Sequence, residues 1–164
     1  MHNIGNEHDA QTILYWVRSH PNVYGRPSCV TRGDAPEGWE YIATGSFRSV
    51  WRSPEGVAYK VGHCEDDYQS CEEINNLKTA WERGVPEGCR LPKFTPYYPN
   101  DDVVIAVELV RGETLYDSGK SDGPFGDYYE LLSEIEIKFN LGDLHDENAM
   151  VDEDGYLVPV DFGC

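Results

Sequence analysis

The chain has 164 residues, 40% of them hydrophobic, with four Trp, five Phe and eleven Tyr, which is enough for one domain with a core of ordinary size. Thirty acidic residues against thirteen basic ones give a net charge of −17. Like charges repel, so this balance argues against nucleic acid or an anionic membrane as a ligand. The same charge would suit docking on a basic partner or would only keep the protein in solution, and both interpretations stay open.

The sequence shows none of the usual patterns for membrane insertion, secretion, disulfide bonding or zinc binding. No apolar run approaches the about 18 residues that a membrane span needs, and MHNIGNEHDA lacks the basic and apolar blocks of a signal peptide. The cysteines are odd in number, scattered and without a CxxC pair, which favours reduced thiols over disulfides or a zinc site. We therefore expect a soluble, cytoplasmic protein.

The first predicted element is a short amphipathic helix from Ala10 to Val17, with Asp9 as a possible N-cap and Pro21 beyond its end. Glycine and proline between Gly25 and Gly38 then predict a loop. After the loop the pattern changes to that of strands, and the SPEG turn at 53–56 predicts a hairpin. The predicted strands are Trp39–Ala43, Ser49–Arg52 and Val57–Val61.

A second helix is predicted from Asp66 to Arg83, because apolar residues recur on one side and Gly84 and Pro86 end the run. Its predicted buried side consists of Ile74, Leu77, Ala80 and Trp81. Two further strands, Leu91–Tyr98 and Val103–Val110, are predicted to pair around the turn residues 99–102.

The last third contains a predicted loop, a helix and a hairpin. Gly112–Gly126 is rich in glycine and acidic residues, which predicts a loop. Asp127–Asn140 carries a helical apolar period made by Tyr128, Leu131, Leu132, Ile135 and Phe139. NAMV and YLVPV flank the turn Asp152–Gly155, which predicts a hairpin with a solvated acidic turn.

These elements predict an α+β protein with a five-stranded antiparallel sheet and one main helix, followed by a smaller helical part. No repeat or linker divides the chain, so one domain over 1–164 is expected. Within it, we expect an N-terminal helix and loop at 1–38, a sheet lobe at 39–110 and the remaining elements at 111–164.

The segment GDLHDENAMVDEDGYLVPVDFG, residues 142–163, concentrates groups that suit phosphoryl transfer. Asp143 and Asn148 are five residues apart, so the carboxylate can face an incoming hydroxyl while the amide oxygen turns toward a metal. Asp161 supplies a hard anionic oxygen for magnesium, and Gly163 allows a sharp backbone turn.

G-D-L-H-D-E-N followed by V-D-F-G resembles the catalytic loop and the metal-binding motif of the protein-kinase superfamily. His145 makes the loop most similar to that of aminoglycoside phosphotransferases and atypical kinases, and Leu141 and Gly142 replace the usual His-Arg pair. The resemblance implies a minimal kinase-like fold that binds ATP and Mg²⁺. It implies that Asp143 is the catalytic base and that Asn148 and Asp161 are the metal ligands.

V-A-Y-K at 57–60 resembles the lysine strand of that superfamily, which implies that Ala58 contacts the nucleotide and that Lys60 pairs with its α and β phosphates. The lysine's partner is expected from the next helix. Glu73 is preferred because its position places it on the buried edge, and Glu72 is the alternative.

A-T-G-S-F-R-S-V at 43–50 resembles the phosphate-covering loop, although it keeps one glycine, Gly45, of the usual three. Phe47 would be its aromatic tip and Val50 the roof over adenine, while Arg48 in place of a glycine would clash with phosphate or bind it. V-E-L-V-R-G-E-T-L at 107–115 is similar to the hinge between kinase lobes. This implies that backbone groups of Glu108 and Val110 face adenine above Met150.

These motifs follow the superfamily's order along residues 41–163, but the segments that kinases place after Asp-Phe-Gly are absent. The chain would be a natural minimal form, a fragment or a degenerate descendant. A second copy, or the opening helix at Ala10–Val17, could cover the hairpin that carries Asp161. The compact acidic loop is similar in style to kinase-like proteins of bacteriophages, which would imply the host cytoplasm.

Two functions are therefore expected from different classes. One is an ATP- and Mg²⁺-dependent phosphotransferase that acts on a hydroxyl group, with a host or cellular protein as a candidate acceptor. The other is a catalytically silent acidic protein that docks on a basic host protein and inhibits it. His145 would be a substrate contact or a packed loop residue, and both alternatives remain open.

Overall fold

The computed structural model describes residues 2–21, 34–45, 47–65, 68–142 and 144–162. The start of the predicted loop at Gly25, the predicted helix start at Asp66, the candidate base Asp143 and Gly163 lie outside these ranges. The chain forms two compact units: unit 1 is Met1–Cys71 with Lys93–Leu109, and unit 2 is Glu72–Pro92 with Val110–Cys164. No helix in the described part is both long enough and apolar enough to cross a membrane.

Unit 1 is built on a five-stranded sheet whose neighbouring strands are all antiparallel, in the order β1-β2-β3-β5-β4. The five-stranded antiparallel prediction is confirmed. The strands are β1 Glu40–Thr44, β2 Arg48–Arg52, β3 Ala58–Gly62, β4 Phe94–Tyr97 and β5 Val104–Val107. The predicted SPEG turn closes the β2–β3 hairpin, where the Gly56 N–H donates to the Ser53 carbonyl at 2.9 Å.

The two faces of this sheet have different side chains because residues alternate along each strand. Trp51, Tyr59, Val61, Val104 and Ala106 form one buried cluster with the first helix. The strand alternation turns Val50, Ala58 and Lys60 to the opposite face, and all five residues of β3 are buried. β3 is therefore a central strand with both faces covered.

Helix α1, Glu7–Ser19, buries Ala10, Ile13, Leu14 and Val17 as predicted. Its N-cap is Asn6 rather than Asp9: the Asn6 side chain accepts the Asp9 N–H at 2.8 Å. The apolar face of α1 packs in the sheet cluster of unit 1. The suggestion that this helix covers the Asp161 hairpin stays a prediction.

Helix α2 is Tyr68–Arg83, and Gly84 ends it with a φ of 77°, a left-handed conformation that favours glycine. Ile74, Leu77 and Ala80 are buried as predicted. Trp81 was also predicted on the buried side but is 40% exposed. Its indole N–H donates to the Pro92 carbonyl at 3.2 Å, so the ring lies over a neighbouring segment at the surface.

Unit 2 contains a small antiparallel sheet, in the order β10-β9-β6, instead of the predicted two-stranded hairpin alone. Its strands are β6 Gly112–Thr114, β9 Ala149–Asp152 and β10 Leu157–Pro159. The prediction of a loop over Gly112–Gly126 is wrong, because this stretch also forms helix α3, Leu115–Ser118, and most of a two-stranded ribbon. The ribbon pairs β7, Asp122–Gly123, with β8, Gly126–Asp127.

Helix α4, Tyr128–Phe139, agrees closely with the predicted helix. The Asp127 side chain caps it by accepting the N–H groups of Tyr129 and Glu130, and Asn140 ends it with a φ of 52°. Tyr128, Leu131, Leu132 and Ile135 form its buried side, whereas Phe139 is half-buried.

The turn between β9 and β10 is not the solvated acidic turn that the sequence predicts. Asp152 Oδ2 lies 2.6 Å from Arg90 Nε, and the Asp152 side chain is 7% exposed. Its other oxygen accepts the N–H groups of Asp154 and Tyr156. Glu153 and Asp154 remain exposed, so Asp152 is the acidic residue that anchors the turn, and the Tyr128 hydroxyl adds a bond to the Gly155 carbonyl at 2.9 Å.

Candidate functional site

In unit 1, three of the predicted nucleotide-contacting residues share one face of the sheet. Lys60 is opposite Val50 on β2 and Ile105 on β5, and Ala58 lies two residues before it on the same strand. Lys60 is 8% exposed, which requires that its ammonium group be satisfied by polar neighbours. The register of the sheet thus places Lys60 beside apolar residues, with Arg48 and Arg52 at the two ends of β2 on the same face.

The turn between β1 and β2 is stabilised by backbone bonds. The Gly45 N–H donates to the Arg48 carbonyl at 2.8 Å, and the His63 N–H donates to the Phe47 carbonyl at 2.8 Å. Thr44 Oγ1 lies 3.3 Å from Nε2 of His63, the residue after β3. The Phe47 side chain is 66% exposed, so the predicted aromatic tip projects into solvent.

Arg48 is buried beside the start of α2. Its side chain is 7% exposed, and Nη1 donates to Ser70 Oγ at 3.2 Å. The guanidinium thus connects β2 to the first turn of α2. The expectation that Arg48 clashes with phosphate or binds it stays a prediction.

Glu108 follows β5 and is tied to the residue before β4. Its N–H donates to the Lys93 carbonyl at 2.8 Å, and its Oε1 accepts the Lys93 N–H at 3.2 Å. Since the N–H is engaged within the sheet, a contact of Glu108 with a purine would use its carbonyl.

In unit 2, the helix acid and the Asp-Phe-Gly motif meet directly. Glu73 is 1% exposed, and its Oε1 accepts the Phe162 N–H at 3.3 Å. Asn76, one turn further along α2, donates from Nδ2 to the Phe162 carbonyl at 2.7 Å. Glu72 is exposed, so the burial that favours Glu73 over Glu72 is observed. Sequence analysis missed Asn76, although its i+3 spacing from Glu73 places both side chains on one side of α2.

The loop before β9 is organised by Asn148. Asn148 Oδ1 accepts the His145 N–H at 2.9 Å, and the Asn148 N–H donates to the His145 carbonyl at 3.1 Å. The Val160 N–H donates to the Asn148 carbonyl at 3.0 Å, which continues the β9–β10 pairing up to the half-buried Asp161. His145 is exposed, and its Nδ1 accepts the Glu147 N–H at 3.3 Å.

The oxygens of Asn148 and Asp161 are hard donors of the kind that Mg²⁺ prefers, so these residues fit a magnesium site by their chemistry. Within the described ranges, no group of three or more His, Cys, Asp or Glu side chains is placed to hold a metal ion. A magnesium ion here would accordingly take most of its ligands from phosphate and water, as Mg²⁺ commonly does.

The remaining predicted residues of unit 2 lie on or beside its sheet. Met150 is half-buried on β9, opposite Val158 and Thr114, and Val110 is buried before β6. Cys64 and Cys71 of unit 1 and Cys89 of unit 2 are free cysteines, and burial raises the pKa of the Cys89 thiol to about 12. The structure thus assembles one set of candidate residues within each unit.

Comparison with known proteins adds little. No protein-family model matches the chain, and no curated protein matches it. Among solved structures, it is similar to one described as "PpkA-294 apo form", with 18% sequence identity and a TM-score of 0.49. The match covers 80% of this chain and 60% of that one. Similarity of this size does not assign the chain to a family, so its function must be inferred from its own residues.

Proposed function

We propose that the protein is an ATP- and Mg²⁺-dependent phosphotransferase of minimal kinase-like fold. The observation that carries this proposal is the contact between the buried Glu73 carboxylate and the Phe162 N–H. It joins two motifs that are far apart in the sequence, the acidic helix and the Asp-Phe-Gly segment. The common face of Val50, Ala58 and Lys60 supports the proposal from unit 1.

Each proposed role follows from the chemistry of the residue. Lys60 would neutralise charge on the α and β phosphates, and Asn148 and Asp161 would hold Mg²⁺. Bound Mg²⁺ would supply the additional positive charge that a triphosphate needs. Asp143 would accept the proton of the attacking hydroxyl. Glu73 and Asn76 would fix the Phe162 backbone and so restrict where Asp161 can lie.

Nucleotide binding is tested first, by thermal denaturation with ATP and MgCl₂ together and separately. A ligand that binds only the folded state stabilises it by RT ln(1 + [L]/Kd), about 2.7 kcal/mol at a hundredfold excess over Kd. Asp161→Ala should remove the Mg²⁺-dependent part of the shift, whereas Glu153→Ala in the exposed turn should retain it. An unchanged melting temperature at millimolar ATP and Mg²⁺ would reject nucleotide binding.

The reaction is tested by transfer of labelled γ-phosphate to the protein itself and to candidate acceptor proteins. Asp143→Asn should reduce the rate by about 10²- to 10⁴-fold, the usual contribution of a positioned general base. Nucleotide binding should remain in this variant, which separates loss of chemistry from loss of the site. Equal rates for wild type and variant would show that Asp143 is not the base.

A second candidate function is that of a catalytically silent protein that docks on a basic partner. The distribution of charge favours it: unit 2 has 18 acidic and 6 basic residues, net −12, whereas unit 1 has 12 and 7, net −5. Two results together would favour this function over the first. ATP would leave the melting temperature unchanged, and a complex with a partner would weaken as salt increases.

A further inference from the structure

The solvent side of helix α4 carries two large apolar residues with a serine between them. Tyr129, Ser133 and Ile137 follow one another at i, i+4 and i+8, and therefore lie along one line of the helix. Ile137 is 80% exposed and Tyr129 is 44% exposed. The opposite side of α4 fills the core of unit 2, so the exposed parts of this row do not belong to that core.

A second tyrosine lies beside the first turn of α4. The Tyr129 hydroxyl donates to Asp146 Oδ2 at 3.1 Å, and the Tyr116 N–H donates to the Asp146 carbonyl at 3.1 Å. Tyr116 is itself 62% exposed. Asp146 thus contacts the Tyr129 hydroxyl through its carboxylate and the Tyr116 backbone through its carbonyl, and both tyrosine rings are partly exposed. We define the α4 face as Tyr116, Tyr129, Ser133, Ile137 and Asp146.

Acidic side chains border this face. Glu130 and Glu134 lie on one side of the row and Glu136 on the other, and all are exposed. Asp117 follows Tyr116 and is exposed as well. These residues contribute to the net charge of −12 in unit 2, which is more than twice that of unit 1.

We propose that the α4 face is a docking surface for a Lys- and Arg-rich segment of a partner protein that also presents an apolar residue. Three features of the face match this occupant. Cations bind tyrosine ring faces and carboxylates, the acidic border accelerates encounter with a basic chain, and Ile137 offers an apolar contact at the C-terminal end of the row.

The same features disfavour other occupants. Nucleic acid and anionic lipid would meet a surface of their own sign. A second copy of the chain would bring two faces of the same negative charge together across a symmetric interface. The proposal is independent of catalysis, since none of the α4-face residues belongs to the proposed nucleotide site.

The test uses the full chain and a labelled amphipathic peptide of Lys and Leu at helical spacing, with binding followed by fluorescence anisotropy. A matched peptide in which Ser replaces Leu keeps the charge and removes the apolar contact. We expect the first peptide to bind more tightly, and binding of both to weaken as NaCl rises from about 50 to 500 mM, where the Debye length falls toward a few ångström.

Ile137→Ser should raise the Kd for the Lys/Leu peptide by about tenfold. This is the value expected when most of one aliphatic side chain is no longer buried in the complex. The matched control is Ile42→Ser on β1, because Ile42 is another exposed isoleucine, at 41%, but lies in unit 1. The pair Glu130→Gln and Glu134→Gln should weaken binding by about two- to fivefold at low salt only, whereas Glu37→Gln with Glu55→Gln should not.

Three results would overturn the proposal. Ile137→Ser could bind like wild type, amide shift changes on peptide binding could map to unit 1, or the chain alone could dimerise in a manner that Ile137→Ser abolishes. The replaced side chains are exposed, so each variant should retain the wild-type melting temperature. The peptide measurement contains no nucleotide, so its failure is distinct from failure of the proposed phosphotransfer.

Discussion

Lys60 and Asp161 are held in place by different physical means. Lys60 lies in the middle of β3, between two antiparallel neighbours, and the register of the sheet determines where its side chain points. Asp161 lies beyond the three-residue strand β10, and its neighbours are held by single bonds from Asn148, Glu73 and Asn76. The first position depends on many equivalent bonds, whereas the second depends on a few individual contacts, two of them made by side chains.

This difference predicts which kind of substitution destabilises each unit. Unit 1 should lose most stability when packing in the cluster under α1 is lost. Loss of any one hydrogen bond between its strands should matter less, because many equivalent bonds remain. Unit 2 should fail through loss of single polar contacts near Phe162 and Asp152. Four substitutions test this contrast, beginning with the largest expected effect.

Trp51→Ala should destabilise the protein by about 3–5 kcal/mol, because it empties the centre of the cluster between β2 and α1. It also removes the indole N–H that donates to the buried Ser49 Oγ at 2.8 Å. Urea denaturation followed by circular dichroism measures the effect. Trp81→Ala is the matched control, since Trp81 is 40% exposed, and an equal cost for both variants would refute the contrast.

Glu73→Ala should cost about 1–3 kcal/mol, the penalty for leaving a buried N–H, here that of Phe162, without its acceptor. The Phe162 amide should also exchange faster with solvent, which hydrogen exchange followed by NMR can measure. Glu72→Ala changes the exposed neighbour and should stay within about 0.5 kcal/mol of wild type. Equal protection of Phe162 in the two variants would contradict the proposed anchor.

Asp152→Asn should destabilise by about 1–3 kcal/mol at neutral pH. Burial raises the pKa of Asp152, but hydrogen bonds from Arg90 and from the Tyr156 and Asp154 N–H groups outweigh it and lower the pKa overall. The folded pKa is thus below the unfolded value of about 3.9, so the stabilisation is present above that pH and is lost as pH falls through the folded pKa. The difference in unfolding free energy between wild type and Asp152→Asn should therefore disappear in acid. Glu153→Gln should match wild type at every pH.

Tyr59→Phe should have the smallest effect at neutral pH, about 1 kcal/mol, from loss of the hydroxyl that accepts the Asn6 N–H at 3.1 Å. Burial raises the pKa of Tyr59 to about 12, so the neutral phenol is favoured in the folded state. This stabilisation is complete below an unfolded pKa of about 10 and is lost as pH rises toward the folded value. Melting temperatures at alkaline pH should fall less steeply for Tyr59→Phe than for Tyr15→Phe, whose ring is 76% exposed.

Periodicity predicts the parts of this fold in which side chains alternate between core and solvent. The strands around Lys60 and the helix from Tyr128 to Phe139 were predictable because their apolar residues recur at the spacing of the element. β6 was not, since Gly-Glu-Thr is largely exposed and is held by backbone bonds to β9. A strand that buries little has no hydrophobic pattern to detect.

Individual polar contacts could not be predicted from the sequence. Either the partner lies far away along the chain, or two nearby residues are equally suited to the contact. Asp152 pairs with a residue 62 positions away, and Arg48 reaches Ser70 22 positions away. No local pattern indicates either partner. At the start of α1, Asn6 and Asp9 are both good caps, and only the backbone conformation decides between them. The motif residues were predictable, whereas the groups that fix them, such as Asn76, were not.

The division of unit 1 into two separated stretches of chain has a consequence for synthesis on the ribosome. β3 can pair with β2 as soon as it emerges, but its other partner, β5, ends only at Val107. All of α2 is synthesised in between, so one edge of β3 stays unpaired until β4 and β5 have been made. The buried strand that carries Lys60 is therefore the segment most exposed to wrong pairing during translation, and slow translation of residues 63–103 should lower the yield of native protein.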